Sequence, residues 1–390
     1  MTAPSEPAAT PASRNGPPEP NAGPDDAPVP GPAEGPEVTT APEVTEPGKG
    51  SQPDRPATLA DIARAAGTSL STASRALSGR GYVAAAVRRR LFEAADELGY
   101  VPDASAQTLK QRTSRAIGFV VSDLSDSFYA QVAVGVEQTL RDAGYQVVLV
   151  TDNKDGAQEI AAARTFLALR TPGVIITPVG NEAATLLRLQ GVTVVEVDRQ
   201  LAGPGFDAVV LDNEQAAIDA ISHILGLGHR RIGLLTVDTD WTSDAGRQLG
   251  YRVALERAGI PVDEALVMKV APNESENVVE RGIRELLGQQ GLTAIFAANN
   301  LLTVRAWRVL RRAGLRLPGD MSLVGFDDVA WMDMVTPGIT VVAQPSVDIG
   351  RRAASLLLRR MKGGSLPPAV ERLHGGLVVR GSTGPPRRPR

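Results

Sequence analysis

The 390-residue chain contains no cysteine. That excludes a disulfide framework, a thiolate zinc site and a cysteine nucleophile. Histidine is scarce, with only His223, His229 and His374. None stands in a His-Glu-x-x-His pattern, and neither a phosphate loop nor a Gly-x-Ser-x-Gly elbow occurs. An enzyme is therefore not expected, each histidine reads as structural or exposed, and no cofactor is implied. Nothing approaches eighteen consecutive apolar residues, so no transmembrane helix and no membrane partner are expected. The opening Met1-Thr2-Ala3-Pro4-Ser5-Glu6-Pro7 lacks the basic and apolar regions of a secretory signal. A cytoplasmic location is the expectation.

Positive charge is also in short supply, with a net charge of −3. The deficit is local. Residues 1–56 hold nine acids, three bases and fifteen prolines, whereas residues 57–113 hold eight bases and five acids. The first segment has almost no large apolar residue and cannot offset its chain entropy, so a disordered tail is expected over 1–56. The second, mildly basic segment is the part to test for nucleic acid.

At Ala57 the texture changes. Thr58-Leu59-Ala60-Asp61 places a hydroxyl three residues before a carboxylate, close to a capping box. Ile62, Ala63 and Ala66 form a small apolar face, and Gly67 stops the helix. Ser69 caps a second short helix carrying Thr72, Ala73, Ala76 and Leu77. Gly79 and Gly81 interrupt the chain. A third helix follows, with Val87, Leu91, Ala94, Ala95 and Leu98 at helical spacing and Gly99 as its stop. Pro102 prevents continuation, and Asp103 can cap a fourth short helix from Ala104 to Lys110.

From Ala116 onward, short apolar runs alternate with amphipathic helices, the pattern of doubly wound parallel sheets. One series contains Ile117–Val121, Gln146–Val150, Gly173–Ile176 and Val194–Val197. A second contains Val209–Leu211, Ile232–Leu235, Ala294–Ala297 and Ser322–Phe326. Two series imply two similar lobes, with a ligand expected in the cleft between them.

Helix, glycine turn, helix is a geometry that places the second helix in the DNA major groove. Its polar face would carry Ser71, Thr72 and Arg75, with Leu70 beside them. Arginine can bond guanine bidentately, hydroxyls can reach base edges or phosphate, and leucine can touch a thymine methyl. Arg80, Tyr82 and Arg88 lie where phosphate contacts would be useful. Read alone, the same stretch also fits a structural helical hairpin with solvated arginines.

The run from Thr58 to Ser69, followed by Ser71-Thr72-Ala73-Ser74-Arg75-Ala76-Leu77-Ser78-Gly79, resembles the N-terminal headpiece of the LacI/GalR repressor family. Glu97-Leu98-Gly99-Tyr100-Val101-Pro102-Asp103-Ala104-Ser105-Ala106-Gln107-Thr108-Leu109-Lys110 resembles that family's headpiece end and hinge helix. The likeness continues over roughly residues 57–383. It implies DNA contacts from Thr58, Ser69, Ala106 and Lys110 besides those above. It also implies that Leu109 wedges into the minor groove with its dimer mate, unstacking a step to permit a bend. The chain departs from the family at Ala73 (usually valine), Ser78 (asparagine), Ala84 (serine or threonine) and Asp103 (asparagine). A missing hydroxyl at Ala84 should cost about 1 kcal/mol of helix capping.

In the second part, Ser125-Asp126-Ser127-Phe128-Tyr129 resembles the family's Asn-Pro-Phe-Phe turn, whose aromatics face the cleft. Phe128 and Tyr129 would stack on a sugar ring or a base, or else serve as core. Val197-Asp198-Arg199 ends a strand, where the arginine fork could hold two ligand oxygens or pair with Asp198. Arg247 lies in a helix that, by resemblance, opens to the same cleft. Ala298-Asn299-Asn300 resembles the family's Ala-Asn-Asp, with Asn300 in place of the sugar-chelating aspartate. Asp327 and Gln344 match further family motifs, and Asn181 is a weaker candidate from the third strand's loop.

The expected architecture is α/β. Residues 1–56 form a disordered tail, 57–102 an all-α helix-turn-helix headpiece, and 103–114 a hinge helix and linker. Residues 115–383 form a two-lobed, doubly wound parallel-sheet effector-binding and dimerisation domain, and 384–390 a flexible basic tail. The expected partners are double-stranded operator DNA, a sugar or nucleoside-like effector, and further copies of the chain in a homodimer or tetramer. A transport-type sugar-binding protein shares the two-lobed fold, but the helical headpiece and the lack of a signal segment argue against it.

Overall fold

The structure, a computed structural model, describes residues 55–79, 81–100, 114–201, 205–363 and 367–387. The expected N-terminal disorder falls almost entirely outside these residues. So do Arg80 and the hinge segment with Ala106, Leu109 and Lys110. The chain forms two units, divided at Tyr100.

Among the described residues the first unit has three helices: α1 (Leu59–Ala65), α2 (Leu70–Ser78) and α3 (Ala85–Glu97). Their starts follow from local chemistry. Thr58 forms a complete capping box with Asp61, and the Ser69 side chain accepts from the Thr72 N–H. α3 begins at Ala84 with no side-chain cap. Gly67 at φ 63° and Gly79 at φ 68° supply the left-handed turns that end α1 and α2. The core is Ile62, Ala63, Ala66, Ala73, Ala76, Leu91, Ala94 and Ala95. Ile62 and Leu91 are its only large fully buried side chains, so little apolar area supports the unit. Leu98, expected on the apolar face, instead caps α3 and is exposed.

The second unit contains two lobes, each built on a six-stranded sheet. Lobe 1 comprises β1 (Ala116–Val121), α4 (Ser127–Asp142), β2 (Gln146–Thr151), α5 (Gly156–Ala168), β3 (Gly173–Ile176), α6 (Asn181–Leu189), β4 (Thr193–Asp198) and β5 (Asp207–Leu211). Lobe 2 comprises α7 (Asn213–Gly226), β6 (Ile232–Val237), α8 (Thr242–Arg257), β7 (Val267–Val270), α9 (Glu276–Leu287), β8 (Ala294–Ala297), α10 (Asn300–Arg312), β9 (Ser322–Phe326), α11 (Trp331–Met334) and β10 (Thr340–Ala343). The chain then returns to lobe 1 through α12 (Ser346–Met361) and β11 (Val370–Leu373), and to lobe 2 through β12 (Gly376–Val378).

The strand orders are β11-β5-β4-β3-β1-β2 and β12-β10-β9-β8-β6-β7. All pairings are parallel except β10 with β12. One expectation needs correction. The apolar run Val209–Leu211 suggests the opening of the second series, but β5 pairs with β4 and β11 and belongs to lobe 1. The crossover comes just after it, at Asp212.

Side-chain alternation explains the layers. In lobe 1, Ile117, Phe119, Val121 and Ile175 meet α4 and α12, while Val120, Val174 and Ile176 meet α5 and α6. Lobe 2 repeats this, with Phe296 facing α7 and α8 and Ile295 facing α9 and α10. Such two-sided burial is what near-continuous apolar strands require. α4 and α12 touch backbone to backbone through two glycines. A Cβ on Gly350 would lie 2.1 Å from the Val132 carbonyl oxygen, and one on Gly135 would lie 2.0 Å from that of Val347.

The boundary expected at residue 383 falls within firmly bonded chain. Gly384 donates to Ser322 Oγ at 3.1 Å, and its carbonyl accepts from His229 Nε2 at 2.8 Å. Arg387 pairs with Asp320 at 3.1 Å. His229 also bonds Thr293 at 2.9 Å, which gives this buried residue a structural role.

Candidate functional site

On the first unit, the α2 face expected to read DNA is open. Arg75 and Ser71 are exposed, as are Ser69, Arg88 and Thr58. Leu70 is 55% exposed and Tyr82 91% exposed, a large apolar area for so small a unit. Ser69 Oγ lies 3.0 Å from Ser71 Oγ and 2.9 Å from Thr72 Oγ1, so the three hydroxyls form one cluster at the helix start. The Arg75 Nε donates to the Ser71 carbonyl at 3.3 Å. That contact lays the side chain along the helix beside the cluster.

In the second unit, the carboxyl ends of both sheets face each other across a cleft. Lobe 1 contributes Asp126, Phe128, Tyr129, Lys154, Asp198 and Arg199, and lobe 2 contributes Trp241, Ser243, Asp244, Arg247, Asn299 and Asp327. Gln344 lies on the crossover from β10 to α12 and also lines the cleft. The enclosed volume is about 70 Å³, well under the roughly 300 Å³ of a usual small-molecule site.

The arginines are buried and held. Arg199 Nε donates to the Pro178 carbonyl at 2.8 Å, and Nη2 bonds Ser122 Oγ. Its ion pair with Asp198 is loose, at 4.0 Å. Arg247 Nε donates to Asn213 Oδ1 at 2.8 Å and Nη1 to the Ala298 carbonyl at 2.6 Å. Its guanidinium lies 3.7 Å from the Phe326 ring centroid. Neutral oxygens supply the hydrogen-bond partners that fix each guanidinium in place, with carboxylates such as Asp198 and Asp244 close by.

The Asp198 and Asp327 carboxylates are buried as well, and Asp126 is half-buried. Asp126 caps α4, its Oδ1 accepting from the Phe128 N–H at 2.9 Å. Burial, with the Asp327 charge nearby, pushes the Asp126 carboxyl up to about 7. Asp327 accepts from Gln344 Nε2 at 2.6 Å and is raised in the same direction by burial. Asp327 and Asp198 both have left-handed backbones, at φ 66° and 70°, a conformation that marks strained and often functional positions. Tyr129 donates to Asp198 at 3.1 Å. Burial and the Asp198 charge hold its hydroxyl protonated.

Seven of the nine expected cleft residues therefore line one site: Asp126, Phe128, Tyr129, Arg199, Arg247, Asp327 and Gln344. Asn300 sits just behind, bonding two of them. Asn181 does not line the cleft. It is the first residue of α6, and its loop reaches the site through backbone instead, by the carbonyls of Pro178 and Val179. Sequence reasoning missed Lys154, Trp241, Ser243, Asp244 and Asn299. Trp241 and Asp244 were within reach, since they follow β6 at its carboxyl end as Asp126 and Phe128 follow β1. Among the described residues, no acid or histidine cluster could hold a metal ion.

The profile described as "Bacterial regulatory proteins, lacI family" matches residues 58–103, and that described as "Periplasmic binding protein-like domain" matches residues 221–383. The transcriptional regulator PtxS of Pseudomonas aeruginosa is 34% identical over 332 residues, spanning 84% of this chain and 96% of that one. The chain belongs to the LacI family of transcriptional regulators. Two solved structures are similar over most of the chain. The lac repressor dimer, bound to operator and the anti-inducer ONPF, is 26% identical with a TM-score of 0.74, covering 85% of this chain and 100% of that one. The CelR–cellobiose complex is 31% identical with a TM-score of 0.64, covering 84% and 99%. As a LacI-family member the chain is a DNA-binding transcription regulator and not an enzyme, with a helix-turn-helix headpiece and a periplasmic-binding-protein-like domain. No helix among the described residues is long and apolar enough to cross a membrane.

Proposed function

We propose that this LacI-family regulator is a repressor that binds a near-palindromic operator as a dimer and is controlled by a small polyhydroxylated effector in its inter-lobe cleft. A sugar is the leading class and a nucleoside the next. One observation carries the reading: buried carboxylates, arginines and aromatic rings from both lobes converge on a single cleft. A ligand held by both lobes links its own binding to their relative position. Acidic acceptors and fixed arginine charges suit hydroxyl groups, and Phe128 and Trp241 offer apolar faces to a ring. That CelR holds cellobiose supports a saccharide.

On the DNA side, Arg75, Ser71, Thr72 and Leu70 read base edges, while Thr58, Ser69, Tyr82 and Arg88 position the headpiece on phosphates. Two headpieces related by a twofold axis match two half-sites. Residues 104–110 are too few to form a stable helix alone. The cleft therefore acts through them, ordering or releasing the hinge and its Leu109 wedge.

The test is operator binding by the full-length chain. Affinity should fall steeply with salt. Arg75→Ala should lose roughly 1–3 kcal/mol of discrimination at one base pair. Unchanged specificity would remove Arg75 from the reading surface. A thermal-shift screen of saccharides and nucleosides tests the cleft, since a ligand of the native state raises stability by mass action.

A further inference from the structure

Two stretches of the chain carry opposite and unmixed charge. Residues 15–48 hold seven acids and no base, and residues 62–92 hold six arginines and no acid. On the headpiece the second stretch is an open surface. Arg75, Arg88, Arg89 and Arg90 are exposed. Among the described residues, the headpiece's ion pairs are those of Arg55 and Arg64 with Asp61, so these four arginines have no carboxylate partner there. A Cβ built on Gly81 would stand 3.5 Å from Arg75 Cδ, which places Arg75 against the turn leading to α3. The apolar side chains of Leu70, Tyr82 and Phe92 are exposed along the same stretch. Unpaired positive charge interspersed with apolar side chains suits an anionic chain that has apolar residues of its own.

The first stretch has that chemistry. Pro36-Glu37-Val38-Thr39 is repeated as Pro42-Glu43-Val44-Thr45, and Glu34 and Glu46 flank the pair. Residues 34–46 thus offer four carboxylates and two valines, and their two prolines reduce the chain entropy lost on docking. This segment lies outside the described residues, but its point of attachment does not. Arg55 donates to Asp61 at 3.3 Å, at the start of α1. Glu46 stands nine positions before Arg55, a reach of up to about 30 Å. A unit of the headpiece's size has a radius of gyration of roughly 9 Å, so each of its faces is within reach.

We propose that residues 34–46 dock on the arginine face of the chain's own headpiece, along α2 and the first half of α3, and must be displaced before DNA binds. The tail covers arginines that would otherwise take phosphates. It leaves in every complex, so it lowers affinity for any duplex by the same factor and leaves the choice of sequence to the base contacts. A tether this short gives an effective concentration of about 1 mM. Against a contact of about 10⁻⁴ M, the weak end of non-specific DNA binding, that factor is roughly ten. The contact is independent of the cleft and its ligand.

The test uses the full-length chain and a random-sequence duplex of about 30 base pairs. E34Q/E37Q/E43Q/E46Q removes the segment's charge without touching the headpiece core. At about 50 mM salt it should bind the duplex roughly tenfold more tightly than the parent. Its affinity should also fall more steeply with salt, because the parent exchanges carboxylates for phosphates and releases fewer counterions. Equal affinity overturns the proposal. The contact itself is read without DNA. The chain has no cysteine, so T40C, between the two repeats, takes a single benzophenone maleimide. Irradiation should link it to residues 70–92 of the same chain, and the duplex should suppress the product. Links confined to the two lobes, links only between chains, or links that the duplex leaves unchanged overturn the proposal. So does tighter binding by the glutamine variant with no headpiece link in T40C, which would reduce the tail's effect to general repulsion.

Discussion

Arg199 and Trp241 stack across the cleft, the guanidinium carbon 3.6 Å from the ring centroid. One residue comes from lobe 1 and the other from lobe 2, so the stack breaks if the lobes part. A desolvated cation–π contact contributes about 2 kcal/mol. Trp241→Ala should therefore loosen closure and abolish most of any saccharide-induced rise in Tm, while Trp241→Phe keeps a ring and part of the rise. Equal loss in both variants would show that stacking on Arg199 is not what matters there.

Behind Arg199 lies a second group of buried acids. Glu159 accepts from the Val179 and Gly180 N–H groups at 2.8 and 3.1 Å, yet burial still pushes it up to about 7. Glu196 on β4 is likewise pushed up to about 7, chiefly by burial, with the Leu201 N–H only partly opposing. A folded-state value above the unfolded one means the native state holds the proton more tightly. Its contribution is then full below about pH 4 and is lost as pH rises through 7. Glu196→Gln should match the parent near pH 4. At pH 8 it should be more stable, by on the order of 2–3 kcal/mol. Urea unfolding at the two pH values checks this, and a pH-independent difference would contradict it.

The glycine contact between α4 and α12 leaves no room to yield, because the opposing atoms are backbone. Gly350→Ala should separate the helices and cost at least about 1–3 kcal/mol. Gly226→Ala in α7 is the control. Nothing lies within 4 Å of a Cβ placed there, so helix propensity favours the substitution by up to about 1 kcal/mol. Denaturation midpoints should move in opposite directions, and a fall in both would discredit the packing account.

α3 starts without a side-chain cap at Ala84, whose backbone is already extended at ψ 138°. Ala84→Ser should stabilise the headpiece by about 1 kcal/mol. Slower hydrogen exchange in α3, with unchanged exchange in the lobes, is the expected result. No change in α3 would mean that the serine fails to reach its first-turn amides.

Much of this was legible in sequence because it is set locally. Thr58 and Asp61, Ser69 and Thr72, and the glycines after α1 and α2 announce their helices within four residues. Alternating apolar runs announce the sheets. Membership of β5 was not legible, since nothing local to Val209–Leu211 says on which side of the crossover it pairs. β11 was missed because it is a short edge strand carrying Glu371 and Arg372, and β12 because it is an edge strand of only three residues. Arg199 was singled out by its position at a strand end and Asp126 by resemblance; strand-end position also points to Trp241. Asn181 stands outside the cleft lining for a physical reason: its loop reaches the site with carbonyls, which no side-chain pattern encodes. The Asp126–Asn300 contact spans 174 positions, so only tertiary structure brings the two residues together.

The three crossings between the lobes have a consequence for synthesis. β11 and β12 come after every other strand, yet one edges each sheet, and α12 completes with the sheet the core around Val132, Val136 and Leu140 on α4. A ribosome making this chain delivers the headpiece with its own core complete long before either lobe can close. A nascent or prematurely terminated product would carry a DNA reader attached to a sticky, unfinished control domain, a natural target for chaperones during translation and for proteases if translation stops early.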